Sequence, residues 1–137
     1  MVPFKNLSTY NGNPPGNGEP RKIVVGPLYD LAKIQTLTAI PNSVQLWTAK
    51  SRREVANLTM DAADVGGLIR ELVNRDYRDS EWCDNGKKAW AACDAYSLTR
   101  SEFIPNAGKW FPVAYFLKFA ESKTGALVLI VSCHTSN

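Results

Sequence analysis

Apolar residues recur every third position at Leu28, Leu31, Ile34 and Leu37, with Asp30, Lys33 and Gln35 off that line. The spacing predicts a helix from Tyr29 to about Ile40, which Pro41-Asn42 stops. Ser43 to Thr48 alternates Val44 and Leu46 with Gln45 and Trp47, the pattern of a strand or an extended link. Ser51 and Glu54 have the spacing of a capping box, so a short helix should follow with Val55 and Leu58 facing inward. Asp61, with Asp64 in the first turn, predicts another helix start. Val65, Leu68, Ile69 and Leu72 then fall at i, i+3, i+4 and i+7, the most regular amphipathic stretch of the chain. Gly66-Gly67 interrupts it at about 1 kcal/mol per glycine relative to alanine, which points to close packing against another element.

The second half changes period. Residues 74–88 are charged and read as irregular. Three strand candidates follow: Trp90 to Leu98, Pro112 to Ala120 and Ala126 to His134. The last two join through Glu121-Ser122-Lys123-Thr124-Gly125 as a hairpin. Val128 to Val131 has the composition of a buried central strand. Helices first and an antiparallel sheet afterwards predict an α+β fold. At the other end, Asn11 to Gly18 is a cluster of breakers with nothing to bury. Lys22-Ile23-Val24-Val25 is a short apolar run, a strand or an anchor, stopped by Gly26-Pro27. The expected organisation is an irregular N-terminal tail, residues 1–26, and a single domain over residues 27–137.

Composition narrows the class without naming a function. Of 137 residues, 45% are hydrophobic and 21% charged, an ordinary globular balance. No run of about 18 apolar residues offers a membrane span. The first 20 residues lack the apolar core of a secretory signal, so a cytoplasmic protein is expected. Cys83, Cys93 and Cys133 are too few for a disulfide scaffold, and Cys83, Cys93 and His134 are not spaced as a zinc site, so neither metal nor cofactor is expected. No Gly-x-Ser-x-Gly elbow supports serine hydrolysis. Sixteen Lys and Arg against thirteen acids give a net charge of +3, which permits a polyanionic partner without demanding one.

From residue 29 to 134 the chain resembles the MqsR family of toxin ribonucleases from bacterial type II toxin–antitoxin systems. The landmarks come in order. A short amphipathic helix, Tyr29 to Ala39, is followed by Leu58-Thr59-Met60-Asp61 and the helix Val65 to Leu72. Asp76-Tyr77-Arg78-Asp79-Ser80 stands where the family has Asp-aromatic-x-Lys-Ser. Trp90-Ala91-Ala92-Cys93-Asp94-Ala95-Tyr96 matches a Trp-Gln-Asp-Val-Tyr strand, Phe116-Leu117-Lys118 a Tyr-Leu-Lys strand, and Val128-Leu129-Ile130-Val131-Ser132-Cys133-His134 the terminal Val-Leu-Ile-Val-Ser-Phe-Lys. The resemblance implies a RelE-like fold, N-terminal helices packed on a small twisted antiparallel sheet. It also implies metal-independent cleavage of messenger RNA and a cognate antitoxin protein as partner. The scaffold matches better than the chemistry. Asp79 replaces the family lysine, with Arg78 one position earlier. Ala91 or Cys93 replaces the glutamine. Phe116 replaces the tyrosine, with Tyr115 adjacent, and His134 replaces the last lysine.

RNA can be cut by its own 2′-hydroxyl if the protein supplies a base, a cation for the phosphorane and an acid for the leaving oxygen. His134 is the single histidine, the side chain type suited to proton transfer near neutrality. Lys118 and Arg78 are candidate phosphate clamps, and Tyr115 joins them through the resemblance. Tyr77, Tyr115 and Trp90 are candidate base platforms, while Arg52, Arg53, Arg75, Lys87 and Lys88 are candidate backbone contacts. A regular hairpin centred near Ser122 to Gly125 would put Phe116, Lys118, Val128, Ile130 and His134 on one face. It would also separate Lys118 from His134 by about 20 Å, too far for one centre. Two other readings stand beside the ribonuclease: a non-catalytic interaction protein, such as a phage-type inhibitor or adaptor, and an RNA-binding module that does not cut.

Overall fold

Helix caps fix the first half of the chain. In the computed structural model, which describes residues 5–136, Asp30 caps α1 (Leu31–Thr38) by accepting from the Ala32 amide. Helix α2 (Ala49–Asn57) starts earlier than Ser51: Thr48 is the cap, and Ser51 is its capping-box partner. Thr48 wins the position because its hydroxyl also donates to the Val131 carbonyl at 2.9 Å, tying the helix start to the sheet. Glu54 is thereby freed from capping and turned toward the sheet. Helix α3 (Ala62–Glu71) has the expected reciprocal cap between Asp61 and Asp64. Between α1 and α2 lies a short strand, Val44–Leu46.

The remaining elements are strands. In chain order they are β1 (Lys5–Asn6), β2 (Lys22–Ile23), β3 (Val44–Leu46), β4 (Tyr77–Asp84), β5 (Ala89–Ile104), β6 (Lys109–Glu121) and β7 (Val128–Thr135). They form one seven-stranded, mostly antiparallel sheet in the order β2-β4-β5-β6-β7-β3, with β1 beside the start of β5. The fold is α+β. Helices α1 and α3 bury Ile34, Val65, Leu68 and Ile69 against Tyr96, Leu117, Phe119 and Ile130 of the sheet. Each such side chain is worth roughly 1.5–3 kcal/mol when taken out of water. Helix α2 lies beyond β3 at the outer edge of β7 and bonds to it through Glu54, which accepts from Ser132 Oγ and the Cys133 amide.

Two expectations fail. Residues 77–84 form a strand rather than an irregular segment. Ser80 and Trp82 face inward at alternate positions, while Asp79 and Glu81 carry the charge on the other face. The N-terminal tail is not idle either. The Leu7 amide donates to Trp90 O, Lys123 N to Leu7 O, and Thr9 N to Glu121 O. The segment fills the slot where β5 and the end of β6 diverge, because the β5–β6 pairing begins only at Asp94–Phe119. The breaker cluster from Asn11 onward carries no regular structure until β2. Among the described residues, no helix is long and apolar enough to cross a membrane.

Buried Asp94 holds the inner face together. Its carboxylate accepts from the Leu28 and Tyr29 amides at 3.0 and 3.1 Å and from Ser80 Oγ at 2.7 Å. Burial raises its pKa against these donors.

Candidate functional site

One face of the sheet is covered by α1 and α3. The other carries Asp79 and Glu81 of β4, Phe116 and Lys118 of β6, and His134 of β7, all half-buried. The small side chains Ala91, Cys93 and Ala95 of β5 form the floor between them. That low floor lets Lys118 reach across β5 to Glu81, where the two form a close ion pair. Burial is the largest single influence and works against the charge of Lys118, but the Glu81 hydrogen bond and the charges of Cys83, Glu81 and Cys93 together outweigh it and raise the lysine pKa.

A β-bulge decides what meets what. Lys118 pairs with Ser132 and Phe116 with His134, but the next pair is Phe119–Ile130, leaving Val131 as the extra residue. The regular hairpin expected from the sequence is therefore wrong in two respects. Val128 and Ile130 face the helices, not Phe116. Lys118 and His134 are not about 20 Å apart but both lie against one aromatic ring. The His134 imidazole stacks on Phe116 with ring centroids 5.2 Å apart, and Lys118 Nζ lies 5.6 Å from the centroid of the same ring.

The tautomer of His134 follows from its partner. Nδ1 lies 2.9 Å from the Thr135 carbonyl, which can only accept, so Nδ1 donates. In the neutral ring the lone pair is then on Nε2, the atom a proton acceptor needs. Alongside, Ser132 accepts from Lys50 Nζ at 3.2 Å and donates to Glu54 at 2.9 Å, which braces β7 next to His134.

The other candidates scatter. Tyr115, next to Phe116, points to the opposite face by the period of two. There it is buried, bonded to Glu102 and covered by Arg100, so it does not join the row. Tyr77 is on that helix side too, edge-on to Tyr96 and bonded to Ser80. Trp90 lies there as well, under the Arg21 guanidinium at 4.8 Å, and is no open base platform. Arg78 sits at the Tyr77/Asp79 bulge, exposed, and turns back to the Tyr77 carbonyl. Arg75 is exposed in the 3-10 turn Asn74–Asp76. Arg52 and Arg53 are exposed on α2, with Arg52 bonded to Leu46 O. Lys87 and Lys88 are exposed in the turn between β4 and β5.

Sequence reasoning missed Glu81 and the thiol pair. Cys83 and Cys93 are both buried on this face. A hydrogen bond with Cys93 lowers the Cys83 pKa, while burial pushes Cys93 well up. The alternation Asp79, Glu81, Cys83 against Ser80, Trp82 was the available signal. Among the described residues no group of three or more His, Cys, Asp or Glu is arranged to hold a metal ion. Comparisons with protein families, with curated proteins and with solved structures find no match to this chain.

Proposed function

We propose that the open face is the active surface of a metal-independent messenger-RNA endoribonuclease, the toxin of a type II toxin–antitoxin pair with a RelE-like fold. The observation that carries it is the bulged β6–β7 register, which sets both His134 and Lys118 against the Phe116 ring. In this reading Nε2 of His134 takes the proton of a ribose 2′-hydroxyl. The 2′-oxygen attacks phosphorus, the bond to the 5′-oxygen breaks, and that oxygen takes a proton from water. Lys118 leaves Glu81 to meet the charge building on the phosphoryl oxygens. The products are a 2′,3′-cyclic phosphate and a 5′-hydroxyl end.

Expression should arrest bacterial growth. Purified protein should cut messenger RNA in EDTA, with His134→Ala lowering the rate by about 10²–10⁴-fold, the usual worth of a general base. EDTA-sensitive cutting, or a fully active His134→Ala protein, would sink the assignment. The Lys118–Glu81 pair favours a second reading, an RNA-binding or adaptor protein without catalysis, because the cation is already neutralised. RNA binding with uncut products selects that reading.

A further inference from the structure

Strands β5 and β6 outrun their neighbours. They pair continuously from Asp94–Phe119 to Ile104–Lys109, but β4 stops opposite Tyr96 and β7 opposite Tyr115. Residues 99–114 therefore stand out as a two-stranded arm. Its residues alternate cleanly. On the face that continues from Phe116 and Ser97 come Ala114 and Thr99, then Pro112 and Ser101, then Trp110 and Phe103. Trp110 and Phe103 lie edge to face at 5.6 Å and are 68% and 48% exposed. A lone ribbon gains little by displaying aromatic rings to water.

Charge separates the two faces. The arm's carboxylate, Glu102, lies on the opposite face, bound by Tyr115 and Arg100, and Arg100 also grips Glu71 of α3 at 2.5 Å. From Trp110 to Phe116 the near face carries no acid, only hydroxyls, alanine and proline. It runs directly into His134 and Lys118. The first carboxylates on it, Asp79 and Glu81, are each held by a lysine. An exposed aromatic pair and an acid-free strip of hydroxyls leading to His134 and Lys118 fit a single strand with stackable bases and no like charge to repel its phosphates.

We propose that the arm positions RNA. Trp110, backed by Phe103, stacks an unpaired base of a strand whose cleaved bond lies over Phe116 and His134, about 20 Å away along β6. This inference rests on the ribonuclease reading and adds a positioning residue to it.

Binding of a labelled, unstructured RNA of about 20 nucleotides, read by fluorescence anisotropy in the His134→Ala background, tests it. Trp110→Ala should raise Kd about tenfold, and Trp110→Phe should restore it to within about twofold. With His134 intact, Trp110→Ala should raise KM about tenfold and leave kcat within about twofold. An unchanged Kd in Trp110→Ala overturns the proposal. So does a Trp110→Ala protein that changes only its own sedimentation, which would make the arm a protein contact. RNA that is cut without regard to Trp110 defeats the arm alone. RNA bound through Trp110 but never cut defeats the ribonuclease reading and leaves the arm standing. Neither binding nor cutting defeats both.

Discussion

Lys118 is charged, 16% exposed and paired. Its ammonium reaches Glu81 over the small side chains of β5, so the lysine is held close to the row but spent on a carboxylate. Glu81→Gln should release it. The expected outcome is tighter RNA binding, by about three- to tenfold, and a steeper loss of binding with salt, since one more free cation meets phosphate. A salt titration of the variant checks both, and an unchanged slope would mean Lys118 takes no part. The sign of the lysine shift also sets where the pair stabilises the fold. With its pKa raised in the folded state, the contribution is fully present below the ordinary lysine value and is lost as pH rises through the elevated one. The pair is thus intact throughout the neutral range.

At the scale of elements, the two glycines of α3 are not equivalent. A methyl group at Gly66 would sit 3.3 Å from Val44 Cγ2 and 3.4 Å from Thr38 Cβ, whereas one at Gly67 meets only the Arg70 guanidinium at 3.8 Å. Close packing therefore explains Gly66 alone. Gly67→Ala should stabilise the protein by about 0.5–1 kcal/mol through helix propensity. Gly66→Ala should gain less or lose stability, because Val44 and Thr38 must yield. Urea melts of the two variants decide it. The helices were legible because caps and a 3.6-residue period coincide, as at Asp61, Val65, Leu68 and Ile69. Strand β4 was not, because half its side chains are charged and face outward, which hides a period of two. His134 and Lys118 were each legible as candidates, but their meeting was not. A bulge at Val131 leaves no mark in composition, and only the pairing shows that it brings the two to one ring.

At the scale of the molecule, the N-terminal segment closes the sheet. The bonds at Leu7, Thr9 and Lys123, and that of the Ala92 amide to Ser8 Oγ at 3.0 Å, are each worth roughly 1 kcal/mol. Tyr10 also lies edge-on to Trp82 at 5.8 Å. Removing residues 1–10 should lower stability by about 4 kcal/mol on that count and uncover the β5 edge. Chemical denaturation and light scattering would register the two effects. A truncated protein as stable and as monodisperse as the full chain would show the segment to be dispensable.

The strand order carries a consequence for synthesis. β7, last of the strands in chain order, lies inside the sheet between β6 and β3, and β3 was made more than eighty residues earlier. While the chain is still emerging, β3 has no partner and α2 has no strand to lean on. The apolar sides of α1 and α3 also lack most of their sheet until β5, β6 and β7 arrive. Folding thus waits on β7, a high contact order that slows it and leaves the nascent half sticky. A ribosome bearing this half-made protein presents a client for chaperones, and any activity resting on β7 cannot begin before that strand has emerged and paired.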